Sequence, residues 1–316
     1  SENTAVGKSA LAANTTGINN TGLGYGALSA NTTANYNTSV GSHSLQDNTT
    51  GASNIAVGYQ ALANNTTASH NTAIGVNAML TNTTGAQNTA VGRNALYTST
   101  GDSNAAYGYY AGYGITTGIE NTALGTQAMI AATTGSYNTG VGCYALDAAV
   151  TGSSNVAVGH QALSANTSGG SNVAIGKEAL EANTTADHNT AIGAVALHVN
   201  TTGTHNQAVG NYALQQCTTG DYNIGIGYNT LGGLTTGSGN VAIGDASLEP
   251  CTGDNNTAVG FRASYATTAG TGNVAMGAYA LDANTTASYN TAVGYQALTD
   301  NTTGANNTAV GENAAA

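Results

Sequence analysis

The chain has 316 residues, four basic against fifteen acidic side chains, a net charge of −11, and only 6% charged residues. Ordinary soluble domains carry about a quarter, so solubility here must rest on Asn, Thr, Ser and Tyr. Lys8, Arg93, Lys177 and Arg262 lie far apart, which excludes the dense basic stripe that nucleic acid requires, and no apolar run nears the roughly 18 residues that span a bilayer.

From the amino terminus the chain enters a repeat at Asn3, with no charged-then-apolar stretch before it. A glycine recurs from Gly7, Gly24 and Gly41 through to Gly311 in nineteen copies; of the eighteen steps between them sixteen are 17 residues and two are 16. A fixed internal period overrides the length-based expectation of two domains. Residues 1–316 therefore read as one continuous repeat domain, expected to be a segment of a longer array.

Each block is numbered from its Asn as position 1. That Asn is present in every copy: Asn3, Asn20, Asn37, Asn54, Asn71, Asn88, Asn104, Asn121, Asn138, Asn155, Asn172, Asn189, Asn206, Asn223, Asn240, Asn256, Asn273, Asn290 and Asn307. Position 3 is Ala in fifteen copies and otherwise Gly or Ser, and position 5 is always Gly. Positions 2 and 4 carry mostly Thr, Val or Ile followed by Val, Ile, Leu, Met or Tyr107. In an extended chain these two sets fall on opposite sides, which predicts a short strand with two distinct faces. Positions 6 and 7 vary freely and read as an exposed bend. Position 8 is Ala in sixteen copies and position 9 is usually Leu, predicting a second buried strand or a corner. Positions 12 to 15, Asn-Thr-Thr-Gly, have the chemistry of a turn, with a Gly able to take positive φ.

Helix-pair repeats are about twice as long and lack this punctuation, and Gly, Asn, Thr and Val are poor helix formers. The predicted fold is all-β: a single parallel β-solenoid, or β-roll, of about nineteen 17-residue coils. At an inter-strand spacing of about 4.8 Å, nineteen coils give a rod roughly 90 Å long. The position-1 residues then form a structural Asn ladder whose amides bond neighbours above and below. Burying one Leu and one Val per coil supplies roughly 3 to 6 kcal/mol, less than the conformational cost of fixing 17 residues at about 1 to 2 kcal/mol each. Backbone ladders to both neighbours must supply the rest, so a lone coil does not fold.

The two short blocks run over residues 88–103, where the turn Asn is read as lost, and 240–255, which holds the only proline, Pro250. In the block at 104–120, Tyr107 stands in the Val slot and Gly112 in the Leu slot; the reading is a repacked coil in which the large Tyr compensates for the missing Leu, with a binding patch as the alternative. Cys217 and Cys251 both occupy position 12 two coils apart, about 9.6 Å by the stacking rise, beyond disulfide reach. Three free thiols, or thiols in contacts between chains, are expected.

No phosphate loop, nucleophile elbow or calcium nonapeptide occurs, so the expectation is no catalytic residue, no metal and no cofactor. His188 and His205 stack in consecutive coils beside Asp187, but no third ligand recurs with them. The second turn threonine gives a surface ladder: Thr16, Thr33, Thr50, Thr67, Thr84, Thr185, Thr202, Thr286 and Thr303. Asn14, Asn31, Asn48, Asn65, Asn82, Asn166, Asn183, Asn200, Asn284 and Asn301 precede Thr-Thr or Thr-Ser and spell glycosylation sequons. An Asx turn accounts for the same spelling, and glycans every 4.8 Å or so would crowd.

NVAIGKEALEA at 172–182 and NVAIG at 240–244 resemble the S-V-A-I-G-x-x-A repeats of the YadA-type heads of trimeric autotransporter adhesins. The full NTAVGYQAL…NTTG block is similar to the repeat arrays of phage tail-fibre-like and chaperone-of-endosialidase-type surface proteins, over the whole chain. The resemblance implies an extracellular, cell-surface or virion fibre, in trimers or end-to-end filaments, and by the adhesin pattern a protomer contact through the small Ala and Gly face. The expected function is that of a stiff spacer, adhesin segment or self-assembling filament, not an enzyme. The partners are itself and, through the alternative reading, glycans or a cell surface. That alternative is a glycan- or ice-binding solenoid using the Thr ladder. Ice-binding solenoids generally place Thr-x-Thr on one flat strand, and the adjacent turn pair here departs from that.

Overall fold

The computed structural model describes residues 2–148 and 150–315. Among them lie nineteen strands of three residues, one per repeat at positions 2 to 4, and no helix. The fold is an all-β parallel solenoid with coils of about 17 residues. Contacts divide the chain into two compact units, 1–157 and 158–316. The first contains β1 (Thr4–Val6) through β9 (Thr139–Val141), the second β11 (Val173–Ile175) through β19 (Thr308–Val310), and β10 (Val156–Val158) falls at the division.

Within each unit, successive strands pair in parallel, residue on equivalent residue: Thr4 on Thr21 in the first and Ala191 on Ala208 in the second. The short blocks leave this register intact, since Thr89 pairs with Ala105 and Val241 with Thr257. The deleted residue is a turn threonine. Ser99 occupies the slot read as lost, buried, with its N–H donating to Leu96 C=O as Asn14 N–H does to Leu11 C=O.

Pairing extends well beyond the three strand residues. The N–H groups at positions 2, 9, 11 and 13 donate to one neighbouring coil (Thr4 to Asn20, Leu11 to Ala27, Ala13 to Ser29, Thr15 to Thr32), and those at 5, 7 and 17 donate to the other (Gly24 to Val6, Gly26 to Lys8, Tyr36 to Ile18). Nearly the whole backbone of a coil is thus satisfied by its neighbours, which is how a polar, glycine-rich chain buries so much main chain. Positions 8 and 9 form a corner of this path, with no second strand assigned.

The path demands unusual backbone. Position-5 glycines hold φ near +135°, as at Gly58, and a Cβ on Gly58 would stand 2.5 Å from Gly75 O. Only Gly meets both conditions. Positive φ falls elsewhere on positions 7, 9 and 17, such as Gln60, Leu62 and His70, and not on the position-15 glycines that the turn reading assigned to it. A left-handed Leu costs about 1 to 2 kcal/mol, offset by complete burial of side chains such as Leu28, Leu45 and Leu62.

The strand faces are reversed from the expected energetics. Position-3 Ala is buried, as at Ala56, Ala73 and Ala174, while position-4 Leu23, Ile74, Leu124, Ile175, Ile192 and Ile226 are exposed. Most coils bury one Leu at position 9, without the Val. The small Ala and Gly face therefore lines the inside of each coil, and the adhesin-derived assignment of that face as a protomer contact is corrected. Tyr107 points outward too, so it does not replace the Leu missing at Gly112. That space is filled by Ile115 from position 12, whose Cδ1 lies 3.1 Å from where a Gly112 Cβ would be. Positions 9 and 12 adjust together elsewhere: Met129 with Ala132, and Ser264 with Thr267, whose hydroxyls are 2.7 Å apart. Among the described residues no helix is long and apolar enough to cross a membrane.

Candidate functional surface

Two Asn columns run through the interior, and their hydrogen bonds show which positions are free to meet a partner. At position 1, the side-chain oxygen accepts the N–H of the next Asn (Asn20 to Asn3, 2.8 Å; Asn206 to Asn189, 2.9 Å). The side-chain Nδ2 donates within its own coil to the position-15 carbonyl (Asn20 to Ala34, 2.7 Å; Asn189 to Gly203, 2.8 Å). Asn54, Asn71, Asn88, Asn138, Asn172, Asn240, Asn256 and Asn273 make the same intracoil bond. The column is a side-chain-to-backbone lattice more than an amide-on-amide ladder, although Asn121 and Asn223 also reach the preceding side-chain oxygen at 3.1 Å.

At position 12 the amides do stack on each other. Asn31 Nδ2 donates to Asn14 Oδ1 at 2.8 Å and Asn65 Nδ2 to Asn48 Oδ1 at 2.7 Å, and each also donates to its own position-15 carbonyl. This is the sequon column. Asn31, Asn48, Asn65, Asn82, Asn166, Asn183, Asn200 and Asn284 are completely buried, and Asn14 and Asn301 partly so. In the folded coil Asn31, Asn48, Asn65, Asn82, Asn183 and Asn200 have their nitrogen bonded twice in the interior.

The adjacent threonines divide by role. At position 13 the hydroxyl donates to the next coil's equivalent carbonyl, as from Thr49 to Thr66 at 3.0 Å. At position 14, Thr16, Thr33, Thr50, Thr67, Thr84, Thr185, Thr202, Thr286 and Thr303 are all exposed. Each of these nine coils presents one hydroxyl along that edge.

A second outward surface is the strand face whose Val the sequence reading counted as buried. Its position-2 and position-4 side chains are Thr, Val, Ile, Leu, Met, Tyr107, Ala105 and Gln207, with no charged residue in any of the nineteen strands. The signal was present in the sequence as β-branched alternation, but alternation alone does not say which face is inside.

Other outward side chains cluster locally. His188 and His205 stack at 4.9 Å and His205 on Tyr222 at 4.8 Å. Asp187 Oδ1 accepts from Gly170 N–H at 2.6 Å. Tyr109, Tyr110, Tyr113 and Tyr97 make a continuous ring cluster with centroid separations of 4.5, 5.0 and 5.1 Å. Sequence reasoning missed a mixed cluster at Glu178, Glu181 and His198. Glu181 and His198 share position 10 in consecutive coils, which was the available signal. His198 Nδ1 lies 3.3 Å from Glu181 Oε2 and 3.3 Å from Glu178 O. Lys177 Nζ lies 3.0 Å from Glu178 Oε1, and this hydrogen bond, opposed by desolvation, holds the Glu178 carboxyl below its ordinary range.

All three thiols are free: Cys143 is half-buried, while Cys217 and Cys251 are buried in the position-12 column and so do not reach another chain. Burial pushes each of the two inner thiols up to about 11. No protein-family model and no curated protein matches this chain.

Proposed function

We propose that the chain is a structural segment of an extracellular, cell-surface or virion fibre, a non-enzymatic spacer or adhesin segment that associates with copies of itself, as a trimer or filament, through the outward strand face. The observation that carries this reading is the uncharged column of β-branched and apolar side chains at positions 2 and 4, exposed at Leu23, Ile74, Leu124, Ile175, Ile192 and Ile226. Contiguous apolar surface of this kind on a soluble chain marks an interaction site. Its regular column meets an identical column in register, and no charge opposes the contact. Mass measurement of the intact chain in solution tests it. The expected result is a trimer or larger assembly that the triple variant I175K/I192K/I226K reduces to monomer with an unchanged far-ultraviolet spectrum. A wild-type chain that stays monomeric at high concentration counts against the proposal.

A second reading, a surface that binds ice or glycans, rests on the nine exposed position-14 threonines. The neighbouring position-13 hydroxyls are committed to carbonyls, as at Thr49 and Thr66, which leaves a single rank of hydroxyls. Thermal hysteresis by the purified chain, lost in T50V/T67V/T84V, supports it. Its absence leaves the fibre reading alone.

A further inference from the structure

The coil path brings positions 7 and 10 of one coil beside position 10 of the next, and the side chains placed there contact each other. His43 Nδ1 and Gln46 Oε1 are 2.6 Å apart. Tyr113 packs on Tyr110 and Tyr97. Arg262 lies over the Tyr265 ring at 4.0 Å and 3.9 Å from Asp282. In the coils at 172–205 the same triangle holds Glu178, Glu181 and His198, three side chains that all offer lone pairs. One ligand atom from each lies within 4.8 Å of the other two. Their side chains are 24%, 29% and 29% exposed, so the triangle is partly desolvated while its outer side stays open to water. In a chain with 6% charged residues, this concentration stands out from the uncharged turns around it.

We propose that Glu178, Glu181 and His198 form a binding site for a divalent transition-metal ion of the Zn2+ class, joining two successive coils. Ligands at about 2.0 to 2.2 Å from a tetrahedral zinc stand roughly 3.3 to 3.5 Å from each other, and His198 Nδ1 and Glu181 Oε2 already stand 3.3 Å apart. Glu178 keeps Oε1 for Lys177 and offers Oε2, with water as the fourth ligand. Binding places the imidazole proton on Nε2, leaving the Nδ1 lone pair for the metal. The imidazole nitrogen selects against Mg2+ and Ca2+, which take oxygen donors. The stacked pair His188 and His205 is the competing location, and among the described residues it is not joined by a third ligand atom within the same distance.

Calorimetric titration of the intact chain with Zn2+ tests the site. The expected result is one Zn2+ per chain with micromolar affinity, weakened by at least about tenfold in H198A and in E181Q, and unchanged in H188A/H205A. Position 10 is Ala in the coil at 54–70 (Ala63), so H198A keeps the fold, and its far-ultraviolet spectrum checks this. The proposal is overturned by no binding below roughly 1 mM, by full affinity in H198A, by loss of binding in H188A/H205A, or by Ca2+ binding as tightly as Zn2+.

Discussion

The two interior Asn columns have the same side chain, the same burial and a shared acceptor, yet one is present in all nineteen blocks and the other is replaced, among the described residues, by Ser99, Ile115, Ala132, Cys217, Leu234, Cys251 and Thr267. The difference lies in what each leaves behind when removed. Position 1 accepts a backbone N–H from the next coil, as Asn189 does from Asn206, and no other group stands ready for that donor. Position 12 donates to a carbonyl that position 1 also serves: Ala34 O receives both Asn20 and Asn31. Where Ile115 or Leu234 replaces the second donor, Gly118 O and Gly237 O keep the first at 2.8 and 2.9 Å. Burial of an amide is therefore obligatory in one column and optional in the other, because only one of them prevents an orphaned backbone group.

The comparison breaks most directly through N206A. It removes the acceptor of Asn223 N–H and one donor to Gly220 O, and the expected loss is about 2 to 4 kcal/mol by urea denaturation. A loss under about 1 kcal/mol would mean that water enters and replaces the amide. The position-12 thiols give the next effect. Their folded pKa of about 11 stands above the ordinary 9.0, so the folded state holds its protons more tightly. The associated stability is complete below pH 9 and declines as pH rises towards 11, by about 2 kcal/mol per thiol. Denaturation midpoints measured from pH 8 to 11 should fall, and C217N/C251N should flatten that fall by restoring the amide used elsewhere in the column.

Smaller changes sharpen the same contrast. N65L takes the acceptor from one N–H of Asn82, whose other N–H keeps Gly85 O, and orphans Asn48 Oδ1, so about 1 to 2 kcal/mol is expected. N48V/N65L removes that orphan, and in a double-mutant cycle it should cost less than the sum of the two single changes. The smallest effect belongs to T67A at the exposed edge, within about 0.5 kcal/mol of wild type. A larger loss would show that position 14 contributes to holding the coils together.

The period was legible in the sequence, and with it the parallel register: a Gly every 17 residues specifies which residue lies on which, so Ala191 on Ala208 follows from counting. The unfailing Asn and Gly were legible as structural for the same reason. Their precise partners were not, because a sequence does not separate an amide bonded to another amide from one bonded to a backbone N–H. The cluster at Glu178, Glu181 and His198 was half legible. Two members share a column by arithmetic, but Glu178 joins them only because a left-handed residue at position 7, with φ of +58°, turns the path towards position 10.

What the sequence by itself determined is the repeat, the coil, and the residues that stack. Which strand face is inside was decided by the tertiary structure. Alternating small and branched residues are compatible with either orientation, and the choice depends on the distance between the walls of one coil. That interior accommodates one Leu beside Ala and two Asn amides, so the Val and Ile that looked like core are turned outward.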